Sequence, residues 1–250
     1  MKKPQLIARA VDMNLSNKQA LKIDWASHEA AKYACLNWHY SKCLPAGKVV
    51  KVGAWENGNF IGVVLFSRGA TPHIGSPYKL TQYEVCELTR IALTKHESQV
   101  SRIISIALRL LKKKCPKTKL VVSYADADQN HSGGIYKATN WIYEGLKNCG
   151  TRGAFIVKGK KTHPRTIGAG GGVQSIQWIR KNIDPRATEF FTKGKHKYLM
   201  PLDEQMRNNI KHLHKPYPKC VSSADSGTLG FQPRGGGANP TDTLHFQNAK

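Results

Sequence analysis

Acid is scarce in this sequence. Its 250 residues carry 16 Asp and Glu against 39 Lys and Arg, a formal charge of +23. An imbalance of that size favours a polyanionic partner over chance solvation, and nucleic acid is the leading one. Long apolar runs are missing too. No stretch of about 18 apolar residues occurs, so no membrane-spanning helix is expected, and no basic amphipathic helix with an aromatic face points to a membrane surface. The opening MKKPQLIARAVDMNLS has charge but no apolar core, which argues against a secretory signal. Paired cysteines are absent: Cys35, Cys43, Cys86, Cys115, Cys149 and Cys220 form no CxxC, so reduced cytosolic thiols are expected rather than a disulfide framework or a zinc knuckle. The GAGGG run at 168–172 has neither GxGxxG order nor a Walker Lys-Ser/Thr, and reads as a connector rather than a phosphate cradle.

What is present centres on residues 83–124. Residues 83–93 mix β-branched and apolar side chains with Glu84, Glu87, Thr89 and Arg90, the pattern of a strand. Val100, Ile103, Ile104, Ala107, Leu108 and Leu111 then recur at helical spacing, with Ser98 as expected N-cap, a closing lysine run that suits the helix dipole, and Pro116 as the stop. The LVVSY run at 120–124 is a buried-strand signal. Strand, helix and strand in this order predict a right-handed βαβ unit, whose ligands bind where the strands end. Arg90 and Asp126 stand at those ends.

Around this unit, residues 5–12 read as a first strand and 25–39 as a helix entered through Asp24 or Ser27. Residues 49–56 and 60–67 form a hairpin about Asn57-Gly58-Asn59. One or two helical turns at 135–139, strands at 141–143 and 153–158, and helices at 173–183 and 203–213 follow. Residues 1–220 make one domain with a basic extension from about 160, and 221–250, rich in Ser, Gly, Pro and Asn, read as a disordered tail.

Several constellations carry chemistry. Asp126 reads as an acceptor or general base at a strand end, against the plainer reading of an Asx turn. His39 and Tyr40, beside Trp38, suit base stacking or a packed aromatic corner equally well. Arg90, in an apolar strand, needs Glu87 or a ligand anion as partner. Tyr136 either reaches the same cleft or packs. The loop with Asp126, Asp128, Asn130 and His131 is too short in oxygen ligands for calcium; an iron or zinc site would need Asp126 to meet His39 or His131. Lys158, Lys160, Lys161, His163, Arg165, Lys193, Lys195 and Lys197 are the expected phosphate contacts.

The element order resembles that of the GNAT N-acyltransferase superfamily, and GGIYKATNWIYEG at 133–145 looks like that fold's closing segment. More closely, HYS at 39–41, CELTRIAL at 86–93, the run 123–145, KHKYLMPLD at 195–203 and KPYPK at 215–219 resemble the Mom-type DNA-modification proteins of Mu-like phages. The resemblance implies an α/β (α+β) fold, a GNAT-like mixed central sheet flanked by helices. It implies transfer of a carbamoylmethyl-type group to N6 of adenine in double-stranded phage DNA, in the host cytoplasm, protecting that DNA from restriction. It makes His39, Tyr40, Arg90, Asp126 and Tyr136 the active-site set, with His39, Tyr40 and Asp126 as the positions for an iron role. One departure matters: residues 94–100, TKHESQV, lack the glycines of the acyltransferase pyrophosphate loop, so coenzyme A is not the expected donor and a charged tRNA is the alternative carrier. An adenine methyltransferase would need a Gly-rich loop and an Asn/Asp-Pro-Pro-Tyr/Phe motif, which do not occur. A non-catalytic basic DNA-binding protein and a GNAT-type acyltransferase for another amine are the remaining rivals.

Overall fold

The computed structural model describes residues 20–45 and 47–218. The strand expected at 5–12 and the tail from 221 lie outside those residues. Among the described residues the first element is β1 (Leu21–Trp25), which local sequence pattern does not reveal. Helix α1 (His28–Trp38) follows, and Ser27 rather than Asp24 caps it, its hydroxyl accepting the Ala30 N–H at 3.1 Å. Strands β2 (Val49–Glu56) and β3 (Asn59–Ser67) form the expected hairpin. Asn57 and Gly58 both take positive φ, 51° and 84°, as a primed two-residue turn requires.

β4 (Val85–Leu93), α2 (Val100–Lys114) and β5 (Leu120–Asp126) make the βαβ unit, with β4 and β5 parallel from Val85↔Leu120 to Leu88↔Ser123. The α2 stripe of Ile103, Ile104, Ala107, Leu108 and Leu111 is buried, each large side chain contributing about 1.5–3 kcal/mol. Its N-cap is Gln99, without a side-chain bond, and not Ser98. After α3 (Gly134–Lys137) and β6 (Ile142–Lys147) the chain leaves the main sheet. β7 (Arg152–Val157), β8 (Lys160–Thr162), α4 (Pro164–Ala169), α5 (Ile176–Asn182) and β9 (Thr188–Phe191) form a unit with its own three-stranded sheet, ordered β8-β7-β9. Phe155, Val157, Ile167 and Ile179 are its core.

β10 (Lys195–Pro201) then returns and inserts between β5 and β6, antiparallel to both, before α6 (Glu204–Ile210). The main sheet therefore runs β1-β2-β3-β4-β5-β10-β6. The basic stretch from about 160 is an insertion between two strands of one sheet, not a C-terminal extension. The physical reason is the Tyr198-Leu199-Met200 run, buried on both faces, which only a central strand can satisfy. The result is a mixed α/β fold, a largely antiparallel sheet flanked by helices. α2 covers one face; α1 covers the other through Val63, Leu65 and Ala92, and α6 through Val85, Leu120 and Val122. Cys35, Cys43, Cys86, Cys115 and Cys149 are free. No helix among the described residues is long and apolar enough to cross a membrane.

Candidate active site

The parallel ladder ends at Leu88 and Ser123, where the Ser123 hydroxyl donates to the Leu88 carbonyl at 2.9 Å. Beyond that rung the strands part, helped by an irregularity opposite Leu65 and Phe66 that leaves Thr89 unpaired. The gap is a cleft of about 570 Å³ lined by residues 88–91, 124–125, 38–40 and 130–136. His39, Tyr40, Arg90 and Tyr136 all line it; Asp126 stands just outside.

Tyr136 forms the floor. Ser123 has one proton and gives it to Leu88, so the 2.8 Å bond between the two hydroxyls has Tyr136 as donor. Its ring stacks on Tyr198 at 4.7 Å and meets Trp141 edge-on. Burial pushes the phenol up to about 12. Both sequence readings hold, since this side chain packs and also faces the cleft. Gly133 enters the floor at φ 80°, and a Cβ there would lie 2.5 Å from the Tyr198 ring. Only glycine lets the loop lie this close to Tyr198.

His39 closes α1. Burial, reinforced by Arg90, His131 and Lys42, lowers it to about 4, so the ring is neutral at physiological pH. Nδ1 accepts the Ser41 N–H at 3.1 Å and meets the Ser41 hydroxyl at 2.8 Å. The ring proton is thereby assigned to Nε2. The imidazole lies tilted by 32° against the Tyr40 ring at 4.4 Å, and Tyr40, 51% exposed, meets His131 edge-on at 5.7 Å.

Arg90 hydrogen-bonds through Nη1 to the Thr89 carbonyl at 2.7 Å, and Nη2 lies 3.9 Å from Cys43 Sγ. Its buried Nε has no partner. Among the described residues it forms no salt bridge. Glu87 lies on the same sheet face; burial raises its carboxyl above the usual range, though Lys195 and Arg90 pull the other way. Of the two partners expected for Arg90, the bonds leave room for a ligand anion.

Asp126 ends β5. Its Oδ1 accepts the Asp128 N–H at 3.0 Å, the Asx turn of the plainer reading. Strand alternation and pairing put Asp126 on the same face as Arg90. Tyr40 responds to both: burial and the Asp126 charge raise it, while Arg90 opposes them.

Two of the expected phosphate contacts are otherwise engaged. Lys197 lies inside β10, 9% exposed, 3.1 Å from Glu144 and over the Tyr78 ring. The basic run that contains it is a strand, so alternate residues face inward. Lys161 is bonded to Asp128 at 3.1 Å, with its ammonium 3.6 Å from the Phe190 ring centre. Lys158, Lys160, His163, Arg165, Lys193 and Lys195 are exposed. His163 also caps α4 by accepting the Arg165 N–H at 3.1 Å.

Glu56 is a further residue that sequence reasoning missed. Its carboxylate accepts the N–H groups of Glu97 and Ser98 at 2.9 and 2.8 Å, filling the amides just ahead of α2. Its only sequence signal was an acid at a hairpin end. Ser123 was legible only as the single polar residue of LVVSY.

A mixed sheet thus parts at its two parallel strands, and a guanidinium, a neutral imidazole and a buried phenol line the gap. The chain belongs to the Mom protein family, whose model matches residues 20–219. It is 24% identical over 208 residues to the methylcarbamoylase Mom of Escherichia phage Mu, covering 80% of this chain and 84% of that one. Among solved structures, an N-acyl amino acid synthase from uncultured soil microbes aligns with TM-score 0.44 and 9% identity over 79% of this chain and 98% of its own. A protein from Acinetobacter baylyi described as an acetyltransferase aligns with TM-score 0.41 and 11% identity over 75% and 94%.

Proposed function

We propose that this chain modifies double-stranded phage DNA in the host cytoplasm, adding a carbamoylmethyl-type group to the exocyclic N6 of adenine and so protecting the DNA from host restriction endonucleases. The observation that carries this reading is the Arg90 guanidinium at the cleft, its buried Nε unpartnered and no ion pair formed among the described residues, in a chain related to a methylcarbamoylase.

Adenine N6 is paired in a duplex and its lone pair is delocalised, so the base must be flipped out and held. Trp38 and Tyr40 supply stacking faces at the cleft wall. Neutral His39 offers a donor from Nε2, and Arg90 holds the donor group or polarises its carbonyl. As N6 bonds to the donor carbon, the bond to the leaving group breaks. Asp126 takes the proton from N6, and Tyr136 gives one to the leaving group. Lys158, Lys160, His163, Arg165, Lys193 and Lys195 contact phosphates.

Glu56 bears on the donor. The amides ahead of α2, where an acyltransferase of this layout would cradle a pyrophosphate, already bind a carboxylate of the chain. This supports a carrier other than coenzyme A, and a charged tRNA also suits the positive charge. Iron fits poorly: His39 presents Nε2–H, not a lone pair, and one Asp126 oxygen is held in its turn. No step is routed through a metal.

The test is mass analysis of adenine nucleosides from DNA of cells expressing the chain and its Asp126→Ala variant. Modified adenine with the parent and none with the variant, DNA binding being equal in both, is the expected result. Full activity in the variant would refute the role of Asp126. Unmodified adenine with tight DNA binding would favour a non-catalytic binder, the reading that the exposed cations alone support.

A further inference from the structure

Asp128 has no role in the reaction proposed above. Its side chain is 9% exposed in the turn between β5 and the cleft-lining loop, and every acceptor bond it makes crosses to the insertion. Oδ1 takes the Lys193 N–H at 2.8 Å. Oδ2 takes the Thr192 hydroxyl at 2.9 Å and the Lys161 ammonium at 3.1 Å. One carboxylate thus gathers β8 and the segment after β9. A backbone bond reinforces the seam, Ala127 N–H to Gly194 O at 3.1 Å. Just past the turn, Asn130, His131, Ser132 and Gly133 line the cleft.

We infer that Asp128 is a positioning residue, the joint that fixes the phosphate-contacting insertion at a set place relative to the cleft so that a gripped duplex presents its flipped adenine to the reacting groups. This rests on the function proposed above. The cations on the insertion hold DNA whether or not the joint is tight. A base delivered from a wandering support, however, misses the geometry that reaction requires, and small misplacements are costly in rate. A partly buried carboxylate with both oxygens bonded suits the role because charge-assisted bonds are short and directional.

The test compares the parent with Asp128→Ala, Asp128→Asn and Lys161→Met. The Asp126 turn depends on the backbone N–H of residue 128, which every variant keeps. In Asp128→Ala, kcat on duplex DNA should fall about 10-fold or more while the DNA Kd changes less than about twofold, in line with the rate penalty of ångström-scale misplacement. Asp128→Asn, which keeps an acceptor for Lys193, should recover part of the rate, and Lys161→Met should lose less than Asp128→Ala. Amide exchange at Ala127, which the Asp128 side chain does not touch, should quicken in Asp128→Ala while the β2–β3 amides stay protected. A DNA Kd that weakens as much as kcat falls would overturn the inference, as would unchanged exchange at Ala127. If the parent modifies no adenine at all, the proposed function fails, and the exchange and Kd measurements still decide whether the joint exists.

Discussion

Glu56 and Ser98 are joined across 42 residues of sequence by a 2.8 Å bond from the Ser98 amide to the Glu56 carboxylate. The same carboxylate holds the Glu97 amide, and the Ser98 side chain first, with the two amides behind it, keeps its pKa below the usual carboxylate range. The chain supplies its own anion to the amides just ahead of α2.

Glu56→Ala should therefore lower the midpoint of urea denaturation, because two amides lose a charged acceptor, and Glu56→Gln should lower it less. Neither variant, nor the parent, should be retained on coenzyme A resin. Tight retention of the parent would mean that the carboxylate yields its place to the cofactor.

Tyr136→Phe removes the donor to Ser123 at the head of the cleft; the buried Ser123 hydroxyl keeps its bond to the Leu88 carbonyl but loses this second one. Equilibrium denaturation should show a loss of about 1–2 kcal/mol. Adenine modification should fall by a larger factor than that change in folded population explains. A variant with full modification would leave Tyr136 a purely structural residue.

His39 makes stability depend on pH. It binds its proton at about 4 when folded, below the ordinary histidine value of 6.5, so the unfolded chain takes up the proton first. Stability from this residue is complete above about pH 6.5 and is lost as pH falls toward 4, by an amount on the order of 1–3 kcal/mol. His39→Gln should flatten that part of the pH–stability curve. An unaltered curve would show that the imidazole titrates normally in the fold.

Lys197 and Lys160 should separate cleanly despite their shared charge. Lys197→Met leaves Glu144 still partnered by Lys147 and Tyr78, so the loss of stability should be that of one charge-assisted bond, about 1.5–3 kcal/mol. DNA affinity should keep its salt dependence. Lys160→Ala or Arg165→Ala should spare stability and reduce the slope of log K against log salt by about one for each phosphate that is no longer neutralised. A salt slope that falls with Lys197→Met would reinstate it as a phosphate contact.

The βαβ unit was legible because α2 is amphipathic and LVVSY is apolar on both sides, so local pattern and burial agree. The hairpin was legible from Asn57-Gly58, whose backbone few other pairs adopt. β1 was hidden because LKIDW is short and half exposed, its identity coming only from pairing with β2. Strand β10 was hidden because Lys195 and Lys197 look like a flexible basic run until the partner of Lys197, Glu144, is seen far away in sequence. In the site, Arg90, His39, Tyr40 and Tyr136 announced themselves by residue type in unusual surroundings. Ser123, Glu56 and Asp128 did not, because their roles lie in long-range bonds to backbone or to the insertion, and no local pattern encodes those.

The place of β10 in the sheet has a consequence for how the protein is made. Its two neighbours are complete in sequence long before it. While the insertion is being synthesised, β5 and β6 wait as open edges with unsatisfied amides and carbonyls. A nascent chain halted before Lys195 would hold every side chain that lines the cleft but lack Tyr198, on which the floor residue Tyr136 stacks, and would be prone to pair with other strands. Completion of the main sheet is thus set to the late stage of translation, after the whole insertion has emerged.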